Sequence, residues 1–135
     1  MSRKLQDRVA IVFGAGSIGE GWGNGKASAV AYARAGARVA CIDVSEAAAQ
    51  ATADIINHEG GTALALAADV TKFDQVSSAT DAVVKAFGGI DVLHNNVGIN
   101  AAGGPVEASE ESWDRVMNVN IKGMFLTCKC ALPVM

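Results

Sequence analysis

The 135-residue sequence predicts an α/β protein built on a doubly wound parallel sheet. Four apolar, strand-like runs alternate with longer helix-forming stretches, joined by short turns. A glycine-rich segment links the first run to the first helix, and polar residues stand at the ends of the runs. Strands that alternate with helices in this way run parallel, because each helix returns the chain to the same end of the sheet.

In chain order, Arg8-Val9-Ala10-Ile11-Val12-Phe13 is apolar and β-branched and reads as a buried strand. Residues 13–27 carry Gly14, Gly16, Gly19, Gly21, Gly23 and Gly25, and 26–35 form an Ala-rich helix with Gly36 as its C-cap. A second strand covers 37–43. Ser45 then caps a helix running to about His58, which Gly60-Gly61 stop. The third strand, 62–68, ends at Asp69-Val70, and Thr71 with Asp74 three positions on reads as a capping box. In the helix behind it Val76, Ala79, Val83 and Phe87 fall at helical spacing and are assigned to the core, with Gly88-Gly89 closing it. Strand four covers 90–95. Ser109 opens a last helix with Glu110, Glu111 and Asp114 in its first turns, running to about Leu132, where Pro133 ends it.

Right-handed crossovers wind strands 1 to 3 one way and put strand 4 on the other side of strand 1. The predicted order is 3-2-1-4, a Rossmann-type sheet in a single domain over 1–135. The glycine turn then lies at the carboxyl end of strand 1, the switch point where such sheets bind ligands.

Composition narrows the function. The chain is 50% hydrophobic and 19% charged with net charge −3, so it lacks the basic excess that nucleic-acid binding needs. No apolar run approaches the ~20 residues of a membrane span, and the polar N-terminus lacks a signal-peptide core. Cys41, Cys128 and Cys130 sit in apolar segments and read as free thiols of a cytoplasmic protein. Cys128-x-Cys130 has no nearby His, so no metal site is expected; His58 and His94 have no visible partner and are taken as structural.

A strand, a glycine-rich turn and a helix together aim free backbone N–H groups at a phosphate, and glycines let the main chain approach the anion closely. Taken alone, the stretch reads equally as a flexible surface loop. Asp43 ends strand 2, where a carboxylate can accept both hydroxyls of an adenosine ribose and repel a 2′-phosphate. Val44 follows it rather than Arg, so NAD is favoured over NADP; the plain alternative is a turn aspartate. Asp69 with Val70 could meet an adenine edge or close a turn.

With these residues in order, the chain resembles the short-chain dehydrogenases/reductases. The motifs carrying the likeness are the glycine loop, Asp43, Asp69-Val70, Asn95-Asn96-Val97-Gly98 and Asn118-Val119-Asn120-Ile121-Lys122-Gly123-Met124-Phe125. The resemblance implies that Asn95 to Gly98 stabilise the central sheet, and that Asn96, Val97 and Gly98 line the cofactor ribose. It implies that Asn120 is the family's catalytic asparagine, whose main chain, in a local helix distortion, helps hold a water of the proton relay. The alternative for Asn120 is a buried asparagine in need of partners.

The glycine loop departs from the family pattern, since Gly14 and Gly25 stand 11 positions apart. Two registers are open, Gly14-x-Gly16-x-x-Gly19 or Gly19-x-x-x-Gly23-x-Gly25. Lys26-Ala27-Ser28-Ala29 resembles the start of the family helix, which favours Gly14 closing strand 1, Gly23 and Gly25 opening the helix, and residues 17–22 bulging between. Ser17, Ile18, Gly19, Trp22 and Asn24 are then expected at the cofactor, with Trp22 available to cover the pyrophosphate. A long loop with an aromatic is also similar to the enoyl-thioester reductases, though their strand-4 sequence differs.

The resemblance implies an enzyme that moves hydride between a nicotinamide cofactor and an alcohol or carbonyl substrate. It places the catalytic Ser and Tyr-x-x-x-Lys beyond strand 5, and none is present here; Tyr32 is the one tyrosine, and Gly36 stands four residues after it. The sheet is thus expected to be incomplete and the chain alone inactive. Strand 4 would be an open edge, and homo-oligomerisation through the last helix is expected. Two rivals stand beside this reading: a non-catalytic NAD(H)-binding module or pseudoenzyme, and an assembly role in which a partner completes the sheet.

Overall fold

The computed structural model describes residues 3–135. Its elements are β1 (Val9–Phe13), α1 (Asn24–Arg34), β2 (Arg38–Asp43), α2 (Glu46–His58), β3 (Thr62–Ala67), α3 (Phe73–Phe87), β4 (Val92–Asn95), α4 (Glu110–Met117) and α5 (Gly123–Ala131). All pairings are parallel, and the order is β3-β2-β1-β4, as the sequence predicts.

The alternation of side chains along β1 divides the core in two. Val9, Ile11 and Phe13 point to one face, where Val76, Ala79 and Val83 of α3 meet them. Ala10 and Val12 point to the other, against Ala29 and Val30 of α1 and Ala49, Ala53 and Ile56 of α2. All of β1 is buried, and such burial contributes about 2 kcal/mol for each large aliphatic side chain. Helices on both faces leave the carboxyl ends of the strands as the open end of the sheet.

Most element ends follow local chemistry. The Ser45 hydroxyl accepts the Ala48 N–H and starts α2, and Ser109 does the same for α4 through Ser112. Gly88 adopts φ +89° to end α3. β4 begins at Val92 rather than at residue 90, because Asp91 is engaged with Val9: its N–H donates to the Val9 carbonyl, and its carboxylate accepts the Val9 N–H.

Two expectations are corrected, and two helix features follow the resemblance rather than the local pattern. The Thr71–Asp74 capping box does not form: Lys72 is the N-cap of α3 and gives no side-chain bond, while the Thr71 hydroxyl donates to Asp69 Oδ1 at 2.7 Å. The carboxylate of an aspartate two residues back accepts both the Thr71 N–H and the Thr71 hydroxyl, and this local turn outcompetes the cap. The last helix carries a distortion at Asn120, as the resemblance implies: Asn118–Lys122 form a π-turn in which the Gly123 N–H donates to the Asn118 carbonyl. α1 begins at Asn24 rather than at residue 26, with Gly23 as its N-cap, so the helix opens at Gly23 and Gly25 as the favoured register of the glycine loop has it. His94 does have a partner, since the Tyr32 hydroxyl and His94 Nδ1 are hydrogen-bonded at 2.7 Å across 62 residues of sequence.

All three cysteines are free, and burial pushes the Cys41 thiol up to about 12. Among the described residues no helix is long and apolar enough to cross a membrane. No group of three His, Cys, Asp or Glu side chains among them could hold a metal ion.

Candidate functional site

The four strand ends converge on a cleft of about 400 Å3. The glycine turn, the ends of β2, β3 and β4, and the side of α4 supply its walls.

The glycine turn is shaped by close backbone approaches. Gly14 has φ +85°, and its N–H donates to the Ile42 carbonyl at 2.8 Å. A Cβ there would stand 3.0 Å from the Val97 N and 3.1 Å from the Asn96 carbonyl carbon. A Cβ on Gly25 would collide with the Gly14 carbonyl oxygen. Only glycine at both positions lets α1 seat against the end of β1 and the β4 loop. Asn96 Nδ2 donates to that same Gly14 carbonyl at 3.2 Å and locks the three segments together.

Residues 17–22 form the bulge between. Ser17 Oγ accepts the Gly23 N–H at 2.8 Å and closes its base. The Lys26 ammonium sits 5.2 Å from the Trp22 ring centroid, and Ile18 is fully exposed at the cleft mouth. Gly23 has no side chain to cap α1, and no acidic residue occupies the first turn. The first N–H groups of the helix therefore lack intrahelical acceptors, and the dipole there is uncompensated, an environment suited to an anion.

Asp43 faces the cleft while holding two backbone groups. Its Oδ2 accepts the Gly16 N–H and its Oδ1 the Ser45 N–H, both at 3.0 Å. It is therefore a turn former, and each carboxylate oxygen retains a second lone pair for a ligand hydroxyl. At the end of β3, Asp69 Oδ1 accepts the Thr71 N–H and hydroxyl. The Thr71 hydroxyl bond holds the Asp69 carboxyl below its usual range, so it stays ionised at neutral pH.

Asn95 lies behind the cleft, where its Oδ1 accepts the Thr127 hydroxyl at 2.6 Å and ties β4 to α5. Asn120 stands in the π-turn. Its Oδ1 accepts the Ile99 N–H and its Nδ2 donates to the Ile99 carbonyl, both at 2.8 Å. Gly123 starts α5 against the segment that follows β3, where a Cβ would stand 2.7 Å from Val70 Cγ2.

Of the residues singled out from sequence, Gly14, Ile18, Asp43, Val44, Asp69, Val70, Asn96, Val97 and Gly98 line the cleft. Ser17, Gly19, Trp22, Gly23, Asn24 and Gly25 belong to the bulge and helix start outside its lining, and Asn120 lines an apolar groove on the far side of Ile99. Gly16 of the glycine loop also lines the cleft, and sequence reasoning missed Ala68, Ile99, Arg115 and Val119 as lining residues. The signal for the last two was their four-residue spacing on one helix face.

A nucleotide fits this site on physical grounds. Glycine backbone forms one wall, two carboxylates stand at adjacent strand ends, and Val44, Val70, Val97 and Val119 supply apolar surface. The volume is in the range of small-molecule pockets.

The family model described as short chain dehydrogenase matches residues 8–135. An uncharacterised oxidoreductase of Thermotoga maritima is 41% identical over 132 residues, 97% of this chain and 49% of its own length. The 2-(S)-hydroxypropyl-CoM dehydrogenase 3 of Xanthobacter autotrophicus is 36% identical over 135 residues, 100% of this chain and 51% of its own. The crystal structure of a Burkholderia xenovorans protein assigned to the short-chain dehydrogenases/reductases has a TM-score of 0.94 at 41% identity, covering 100% of this chain and 53% of that one. The chain spans about half the length of the curated relatives it matches. It belongs to the short-chain dehydrogenase family.

Proposed function

We propose that these residues are the cofactor-binding domain of an oxidoreductase that takes NAD in preference to NADP and acts on a hydroxyl or carbonyl group. The observation that carries the reading is Asp43, a carboxylate at the end of β2 that faces the cleft and is tied to the glycine turn through Gly16. When bound, the nicotinamide ring supplies the hydride acceptor or donor. The chain's own residues bind and orient. The uncapped start of α1 and the turn from Gly14 receive the pyrophosphate, with Ser17, Ile18, Gly19, Trp22, Gly23, Asn24 and Gly25 shaping its cover. Asp43 accepts the ribose hydroxyls and repels a 2′-phosphate, with Val44 beside it. Asp69 and Val70 meet the adenine edge, while Asn96, Val97 and Gly98 line the second ribose.

The role proposed for Asn120 is through its main chain. Its side-chain amide is engaged with Ile99, and the wide π-turn alters the backbone pattern where a relay water would be held. Support for a hydroxyl substrate comes from the hydroxypropyl-CoM dehydrogenase to which the chain is similar. The three free thiols agree with a cytoplasmic setting.

No tyrosine of this sequence is followed four residues later by lysine, so the 135 residues alone bind a dinucleotide and transfer no hydride. The test is nicotinamide absorbance, with protein of verified mass and a panel of alcohols and ketones. Binding without turnover is the expected result. Measurable turnover would contradict the proposal.

A second reading, a non-catalytic NAD(H)-binding module, is favoured by the Tyr32–His94 bond, which commits the one tyrosine to structure. Turnover by a longer form carrying a Ser and a Tyr-x-x-x-Lys pair would separate the two.

A further inference from the structure

Arg115 is the one cation among the described residues that line the cleft, and its place follows from the packing of the last helix. Gly123 lets that helix approach Val70 as closely as backbone allows. Val119 and Arg115 precede Gly123 by four and eight residues, so they continue the same face past the end of β3, and both line the cleft. Arg115 is exposed and its side chain makes no hydrogen bond or ion pair among the described residues, whose two ion pairs are Arg8–Asp91 and Arg34–Glu59.

Resting on the reading of the cleft as a dinucleotide site, we infer that the Arg115 guanidinium lies on the exposed face of the purine ring and closes its pocket from the α4 side. A planar, weakly hydrated guanidinium stacks well on a π-surface, whereas an ammonium does so poorly. Val44 and Val70 offer the ring its apolar surface. The pyrophosphate is not the partner. In the order β3-β2-β1-β4 the end of β3 lies two strands from the glycine turn, about 10 Å at the ~4.8 Å strand spacing.

The test is calorimetric titration of the wild type, Arg115→Ala and Arg115→Lys with ADP-ribose and with NADP, beside thermal unfolding of each. Stacking predicts that Arg115→Ala weakens ADP-ribose on the order of tenfold, and that Arg115→Lys recovers little of it. Both variants should melt with the wild type, since the side chain holds no structural contact. Unchanged ADP-ribose affinity in Arg115→Ala would overturn the inference. So would full recovery by Lys, which would make the contact a point charge, or a loss confined to NADP, which would make Arg115 a 2′-phosphate ligand. A wild type that binds no ADP-ribose would remove the dinucleotide reading itself and this inference with it.

Discussion

Asn120 and Ile99 exchange two hydrogen bonds of 2.8 Å, the side-chain amide of one pairing with both main-chain groups of the other. The pair fastens the loop after β4 to the helix at its π-turn, and so sets the wall of the cleft that runs from Asn96 to Ile99. A half-buried asparagine on the inner side of a helix needs such partners, and Ile99 supplies donor and acceptor together.

Asn120→Ala is therefore expected to cost about 2 kcal/mol, one ordinary hydrogen bond for each lost pairing, with the Ile99 groups left partly unsatisfied. Urea unfolding followed by circular dichroism reads this directly. A loss below about 0.5 kcal/mol would mean that the Ile99 groups find water at no cost.

Gly25→Ala should be far more damaging than its small change suggests. The new methyl would collide with the Gly14 carbonyl oxygen, which is backbone and cannot rotate away. A loss of about 3 kcal/mol or more is expected in the same unfolding measurement. Gly89→Ala is the control, because nothing lies within 4 Å of its new methyl and its φ is not in the left-handed region. It should change stability by about 0.5 kcal/mol or less, or stabilise slightly.

Asp91 predicts an acid dependence. The Val9 N–H, and then the Arg8 guanidinium, hold its carboxyl below the usual range. A carboxyl depressed in the folded state stabilises the protein above its unfolded value near 3.8, and that contribution fades as pH falls through the folded value. Asp91→Asn lacks this titration, so it should be less stable than wild type at pH 7, with the gap closing below about pH 4. A gap that stays constant from pH 7 to pH 2 would show that Asp91 acts by shape alone.

Ile121 of the π-turn and Met124 and Phe125 of α5 are exposed, along with Trp113 and Met117 of α4. An apolar face of this kind favours self-association. Sedimentation velocity should show a concentration-dependent dimer at tens of micromolar protein, shifted to monomer by Phe125→Glu. Lys129, whose ammonium lies 5.9 Å from the Phe125 ring centroid, would receive the new carboxylate and keep the helix intact. A wild type that stays monomeric throughout would refute the association.

The sheet was legible because β1 to β4 carry their own hydrophobic pattern and turn chemistry, and handedness then leaves one winding for them. The polar residues at strand ends were legible for the same reason, since parallel strands bring their carboxyl ends together. What escaped depends on long-range or competing contacts. Nothing near His94 announces Tyr32, which is 62 residues away in the neighbouring helix. Thr71 had two local acceptors to choose between, and a pattern scan sees only the cap. The π-turn at Asn118–Lys122 adds no residue type that helix propensity would flag, and only the family resemblance pointed to a distortion at Asn120. Arg115 was invisible because a surface arginine on a helix is ordinary until Gly123 fixes which way that face turns.

The central claim is that Asp43 makes this an NAD site. Calorimetric titration of the wild type and Asp43→Ala with NAD and NADP tests it. The wild type should bind NAD at least tenfold more tightly than NADP, and Asp43→Ala should weaken NAD and narrow that ratio, about 1.4 kcal/mol for each factor of ten. Equal affinity for the two cofactors in the wild type, or a preference untouched by Asp43→Ala, would make Asp43 only the residue that ties Gly16 to Ser45, and would contradict the account.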